Sequence, residues 1–367
     1  MTTTSDLQDP QQRLLSLDFM RGFIMVLLAS EAAGSYGLID YTDGILHGFF
    51  MQFHHHPWNG LRFWDLIQPG FMFIAGTAMA FSLNKQYAMG RSWEDSFKKA
   101  LKRSGWLFFW GVLDYAVRGD RLSFELWDVL TQLSFTMLVA FLVFRWSYTQ
   151  QILVCAGLLL LTEGLYRLTS IPGFDQPFTD QHNFGNWIDL ILMNKINRGG
   201  WVAINCIPTA VHTIGGAMAG KWFLNNKDQI KPVIIWGAIC LVVGFAQDWI
   251  GITPIIKRIA TTSFTLASLG WCMLGLAFCY WWIDMKGHRK HLRFFTIVGM
   301  NSIFIYLFFE IVGSRWLREY IRVITDNITG WIGLPEVLQL IIGSACVFGV
   351  YWYLCYWLYQ KKIFFKL

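Results

Sequence analysis

The chain has 367 residues, 54% of them hydrophobic and only 15% charged. A soluble domain carries about a quarter charged residues, so this deficit, with 19 Trp and 31 Phe, excludes an ordinary soluble enzyme and indicates a polytopic membrane protein. The net charge of +6 does not mark a nucleic-acid partner, because the basic residues are dispersed among loops rather than gathered on one face.

The first 20 residues are polar and lack the apolar core of a cleavable signal, so the first span is expected to act as the insertion signal, with residues 1–18 as a cytoplasmic tail. A bilayer-crossing helix needs about 20 mostly apolar residues. About ten such stretches are expected, near 19–38, 62–84, 101–118, 124–144, 150–168, 201–224, 230–249, 262–284, 293–313 and 334–358. Asp114, Glu125 and Asp128 interrupt the third and fourth. The fold class expected is all-α, one transmembrane domain over 1–367, without repeats or a separate soluble domain.

Loop charge orients the spans. Lys85, Arg91, Lys98, Lys99, Lys102 and Arg103 follow span two, Lys221, Lys227 and Lys231 follow span six, and Lys286, Arg289, Lys290 and Arg293 follow span eight. With ten spans these share a side with Arg13, Arg21 and the final Lys361, Lys362 and Lys366, and the positive-inside rule places both termini in the cytoplasm. Arg118 with Arg121, and Arg315 with Arg318 and Arg322, are exceptions. Residues 39–61 and the long segment 169–200 are then external, and a loop of the latter length is often functional.

Span one opens with Asp18 and Arg21, three residues apart on one helix face, which suits either a structural ion pair or an arginine holding a phosphate. The stretch His54–Gly76, HHHPWNGLRFWDLIQPGFMFIAG, concentrates chemistry that a lipid-facing helix does not need. His titrates closest to neutral pH, and a carboxylate at a bilayer edge usually faces a cavity or a partner. Pro57 biases the residue before it away from the helix, so the rings of His54, His55 and His56 should diverge. No metal is assigned, since no HxxxH or Cys/His spacing supports zinc. Asp65 either pairs locally with Arg62 three residues earlier or orients a histidine or a substrate hydroxyl. Farther on, Asn205, His212, Glu163, Asn301, Ser302 and Glu310 are intramembrane polar groups that imply a polar interior. The seven cysteines all lie in apolar runs without a CxxC pair and read as small packing residues.

Four pieces then coincide: RLLSLDFMRGFIM at Arg13–Met25, H-x-x-W-N-G with D-L-x-x-P-x-F-x-F-I-x-G over His55–Gly76, TTSFTLASLG at Thr261–Gly270 and GMNSIFIY at Gly299–Tyr306. Their order and spacing resemble the heparan-alpha-glucosaminide N-acetyltransferase family, including its bacterial members that lack a luminal domain. The resemblance implies an acyl-CoA-dependent transmembrane acetyltransferase, with acetyl-CoA as co-substrate and an amino-sugar or glycan acceptor on the far side of the membrane. It also suggests a homodimer and a bacterial inner-membrane location. The family's active-site histidine maps to His55, the Asp of the D-L piece to Asp65 and the Asn of the G-M-N piece to Asn301.

On this reading His55 is a general base, or takes the acetyl group first, and Asp65 orients it. Trp58, Asn59, His54 and His56 are expected to contact the acceptor. Asn301 and Ser302 would meet the thioester, and Arg21, Lys102 and Arg103 the CoA phosphates. The alternative class is a secondary transporter of a small polar solute that uses the same buried Asp, Glu and His, although no inverted repeat is visible.

Overall fold

The computed structural model describes residues 14–118 and 122–365. Most of the proposed tail, Arg13, Arg121 and Lys366 fall outside the described residues. The regular structure of the described chain is all helical, with one isolated antiparallel bridge, Asn59 to Ile256, in place of any sheet.

The helices are α1 (Leu15–Ala32), α2 (Gly44–Met51), α3 (Ile67–Ala88), α4 (Trp93–Ala116), α5 (Val129–Val143), α6 (Tyr148–Arg167), α7 (Phe184–Met193), α8 (Cys206–Asn225), α9 (Lys231–Trp249), α10 (Thr262–Cys279), α11 (Leu292–Gly299), α12 (Ser302–Phe308), α13 (Arg318–Trp331) and α14 (Glu336–Gln360). Five helical stretches are long and apolar enough to cross a membrane: 63–88, 148–167, 231–249, 262–285 and 336–360. Two bent pairs raise this to seven, α1 with a 3-10 turn at Ser35–Tyr41 (56°) and α11 with the helical run Ser302–Trp331 (74°). The expected span 293–313 is therefore broken near Asn301 rather than straight.

The remaining expected spans fall short for identifiable reasons. Helix α5 has only 15 residues, and the first half of α4 carries Lys98, Lys99, Lys102 and Arg103. Helix α8 is long enough but made of small and polar residues, and every residue from Pro208 to Ala217 is buried. It lies inside the bundle against α3. A Cβ on Gly76 would sit 2.0 Å from the Thr213 carbonyl oxygen, and one on Gly216 would sit 2.0 Å from that of Phe73. Only glycine permits backbones this close, and such contacts drive helix association where lipid offers no hydrophobic gain.

This crossing fixes the start of α3. Beside it, at the same end of the bundle, cluster the end of α1, the end of α4, the start of α5 and the loop between α9 and α10, and these elements enclose a cavity.

Candidate active site

The residues between α2 and α3 are irregular, as Pro57 requires, and the three histidines diverge. His54 Nε2 lies 3.2 Å from the Tyr36 carbonyl oxygen. The ring of His56 covers Gly60, where a Cβ would meet its Nε2 at 2.5 Å, and Gly60 has φ +147°. His55 Nδ1 lies 2.9 Å from Asp65 Oδ1.

Asp65 stands in a short 3-10 turn, Phe63–Leu66, at the head of α3. Its Oδ2 accepts the backbone N–H groups of His56 (3.2 Å) and Arg62 (3.0 Å). The Arg62 guanidinium instead donates to the His55 carbonyl oxygen at 3.0 Å. Of the two readings open for Asp65, the geometry matches the orienting carboxylate and not a local ion pair.

A residue that sequence reasoning missed completes the group. Lys257 Nζ lies 3.1 Å from His55 Nδ1 and 3.6 Å from Asp65 Oδ1. Two of the four sequence pieces position it. The W-N-G turn clasps its loop through the Asn59–Ile256 bridge and a bond from Gly60 N–H to the Ile255 carbonyl oxygen at 2.8 Å. The hydroxyls of Thr261 and Ser263, from the T-T-S piece, each donate to the Pro254 carbonyl oxygen at 2.7 Å. The one available signal was a pair of cations, Lys257 and Arg258, directly before that piece.

The Asp65 and Lys257 side chains are 1% and 7% exposed, whereas that of His55 is 39% exposed. The imidazole thus rests on a buried ion pair and opens to the cavity. Its Nδ1 meets both partners, and among the described residues its Nε2 has no hydrogen-bond partner. When Nδ1–H donates to Asp65, Nε2 carries the free lone pair of a base. Burial and the nearby Lys257 ammonium push the His55 pKa below its ordinary 6.5, against the pull of Asp65. Burial pushes Lys257 down to about 8, although Asp65 and Glu31 favour its charged form.

The cavity has a volume of about 260 Å³. His55, Lys257 and Trp201 form one side, and Arg118, Asp128 and Glu310 lie on the wall with them. Trp201 directly follows the long 169–200 segment, its ring centroid 5.8 Å from that of His55 and 5.3 Å from Lys257 Nζ. Arg118 binds Glu310 at 2.8 Å and also Asp114, and Tyr306 donates to Asp128 at 3.0 Å. The 169–200 segment is tied into the bundle rather than a loose loop. It contains α7, whose Asp189 accepts from Trp127 Nε1 (2.8 Å) and the Ala203 N–H (2.9 Å).

Several expected site residues lie elsewhere. Trp58 Nε1 donates to the Phe178 carbonyl oxygen at 2.8 Å, Asn59 forms the bridge, and His54 and His56 brace the turn. None of the four lines the cavity; their hydrogen bonds and packing brace the turn that carries His55 and the loop that carries Lys257. Asn301 is fully buried. Its amide donates to the Ile363 carbonyl oxygen (3.0 Å) and its Oδ1 accepts from Phe365 N–H (2.9 Å). These bonds tie the α11–α12 break to the C-terminal segment, and neither Asn301 nor Ser302 lines the cavity. His212 is a core histidine, 2.8 Å from Ser268 Oγ.

The expected phosphate ligands are grouped apart from the cavity. Arg21 pairs with Asp18 at 3.5 Å. Arg103 stands within electrostatic range of Arg21, and its buried Nε has no partner in the described structure. Lys102 is exposed. Two guanidiniums within electrostatic range of each other, one with an unsatisfied buried Nε, concentrate positive charge there.

Comparison with known proteins was made at the level of families and of individual sequences. No family model matches the chain. It is 24% identical over 428 residues to the heparan-alpha-glucosaminide N-acetyltransferase of Homo sapiens, an alignment that covers 97% of this chain and 60% of that protein. The Mus musculus protein of the same name gives 24% identity over 425 residues with the same coverage. The chain thus spans about 60% of the length of the curated relatives it matches. Both relatives carry the name of the family that the four sequence pieces resemble, and the several long apolar helices are those of an integral, multi-pass membrane protein.

Proposed function

We propose, from this family relationship and the His55–Asp65–Lys257 group, that the protein is a transmembrane acetyltransferase. It moves the acetyl group of acetyl-CoA to an amine, or less readily a hydroxyl, of a sugar or glycan acceptor. The observation that carries the reading is an imidazole seated on a buried carboxylate, with its outer nitrogen free toward a cavity.

The chemistry follows from that seat. An amine attacks a thioester only when neutral, and a base with a pKa near or below 7 suits its deprotonation. Asp65 fixes the tautomer that leaves Nε2 basic and stabilises the imidazolium that forms, without becoming protonated itself. The acceptor nitrogen bonds to the thioester carbon, its proton passes to Nε2, and the C–S electron pair leaves with sulfur.

A cavity of about 260 Å³ is below the range for a drug-sized ligand, roughly 300–1,000 Å³. It fits the acetyl-bearing end of the donor and the reacting edge of one sugar, but not all of CoA. The phosphates therefore belong with Arg21, Lys102 and Arg103, and the pantetheine arm reaches between the two regions through the polar interior. In this account α4, α5 and α8 also cross, as the bundle's less apolar members, which gives ten crossings with both termini cytoplasmic, in a bacterial inner membrane. Donor and acceptor approach from opposite faces.

The test is a sided one. Protein reconstituted into vesicles receives labelled acetyl-CoA at the cytoplasmic face, with glucosamine enclosed at the other. Labelled N-acetylglucosamine is expected inside. If glucosamine crosses unmodified and no acetylated product forms, the enzyme reading falls and a carrier replaces it.

A further inference from the structure

Three carboxylates share the cavity wall with His55, those of Glu31, Asp128 and Glu310. Two are already engaged. Glu310 pairs with Arg118 at 2.8 Å. Asp128 accepts the Leu130 N–H at 2.7 Å through Oδ1 and the Tyr306 hydroxyl at 3.0 Å through Oδ2. The other cation on the wall, Lys257, pairs with Asp65.

Glu31 is left. Its side chain is exposed and lines the cavity, yet among the described residues it forms no ion pair. The indole of Trp64, which directly precedes Asp65, is within hydrogen-bonding reach of its carboxylate, and Lys257 and Glu310 are both within electrostatic range. The position is a poor one for an anion. Glu31 stands in the last turn of α1, which holds no basic residue, at the negative end of the helix dipole. The like charge of Glu310 adds to that disadvantage. A ligand that donates hydrogen bonds relieves both.

A carboxylate only accepts hydrogen bonds. Nε2 of His55 does the same in the tautomer that makes it a base. A cavity of about 260 Å³ brings both acceptors to the reacting edge of a single sugar, and a group seated between them must donate to each. An amine has two N–H groups, or three as the ammonium, and satisfies both. A hydroxyl has one O–H. Given to His55, as base catalysis requires, it leaves Glu31 facing an oxygen lone pair.

We propose, on the basis of the acetyltransferase reading, that Glu31 is the specificity-determining residue that favours an amine acceptor over a hydroxyl: its carboxylate holds one N–H of the acceptor while a second points at His55 Nε2. Glu31 takes no proton. It binds and orients the nitrogen. A site built to bond a donor discriminates strongly against an analogue that lacks it.

Glucosamine and glucose test this, because they differ only in an amine against a hydroxyl at one carbon. Acetylated product is measured for both sugars with wild type, Glu31→Gln and Glu31→Asp, and the ratio of kcat/KM, glucosamine over glucose, is compared. The ratio cancels the folded fraction of each sample. Wild type should favour glucosamine. Glu31→Gln keeps the shape but removes the charge and adds donors, so its ratio should fall about 10–100-fold, as for loss of a hydrogen bond to a charged group, mostly through a raised KM for glucosamine. Glu31→Asp retains the carboxylate and should retain the preference. A purely structural role would lower both sugars alike. An unchanged ratio in Glu31→Gln, a Glu31→Asp ratio equally low, or a wild type that acetylates glucose as well as glucosamine overturns the proposal. If wild type acetylates neither sugar, it is the acetyltransferase reading itself that fails.

Discussion

At the scale of single residues the site divides into one open group and two buried ones, and their removal should have different consequences. The half-open ring of His55 contributes little packing, so His55→Ala should retain the wild-type melting midpoint in detergent. Asp65 is different. Its loss in Asp65→Ala strands the buried Lys257 charge, and breaking a buried pair costs about 3–5 kcal/mol, so a markedly lower midpoint should accompany the lost activity. Acid should also silence the enzyme in a defined direction. A base works only when unprotonated, and the His55 pKa lies below 6.5. Activity should therefore persist through neutrality and fall only below that value, and a fall already complete at pH 7 would contradict the assignment. His55 and Asp65 were legible because ten residues separate them within one stretch of unusual composition. Lys257 was not, since it stands 202 residues from His55 and a lone cation in a loop carries no spacing signal. Asn301 is ambiguous for the opposite reason. An asparagine at a helix break reads the same whether it binds a ligand or, as here, the backbone of its own chain.

At the scale of elements, the α3–α8 crossing carries the site. Gly216→Val would drive a side chain into the Phe73 carbonyl oxygen, and overpacking of a rigid contact costs on the order of 3 kcal/mol. Expression and thermal stability should drop sharply. Gly157→Ala on α6 meets nothing within 4 Å and should be neutral, so a similar loss there would undo the argument from contact. Helix positions were readable because apolar stretches of the right length announce themselves. Whether a helix faces lipid or other helices was not. Helix α8, the most enclosed, has a composition too polar for lipid, and the 74° break near Asn301 lies inside an apolar run interrupted there only by the Asn301–Ser302 pair. The W-N-G and T-T-S pieces were legible as motifs, but their joint task of holding the Lys257 loop appears only when the chain folds them together.

At the scale of the whole molecule, the account requires the His55 site and the arginines proposed to hold the CoA phosphates, Arg21 and Arg103, on opposite sides of a bilayer. With Cys346 replaced by Ser, a cysteine at position 47 should react with an impermeant maleimide added outside intact cells. One at position 287 should react only after permeabilisation, and the reverse pattern would invert the topology. The central claim is narrower, that His55 performs acetyl transfer. The most direct measurement is release of free CoA from acetyl-CoA by the purified protein, with and without glucosamine, wild type beside His55→Ala. The account predicts release that depends on the acceptor and falls by about 10²–10⁴ in the variant, as for the loss of a general base. Equal release by the two proteins would contradict it.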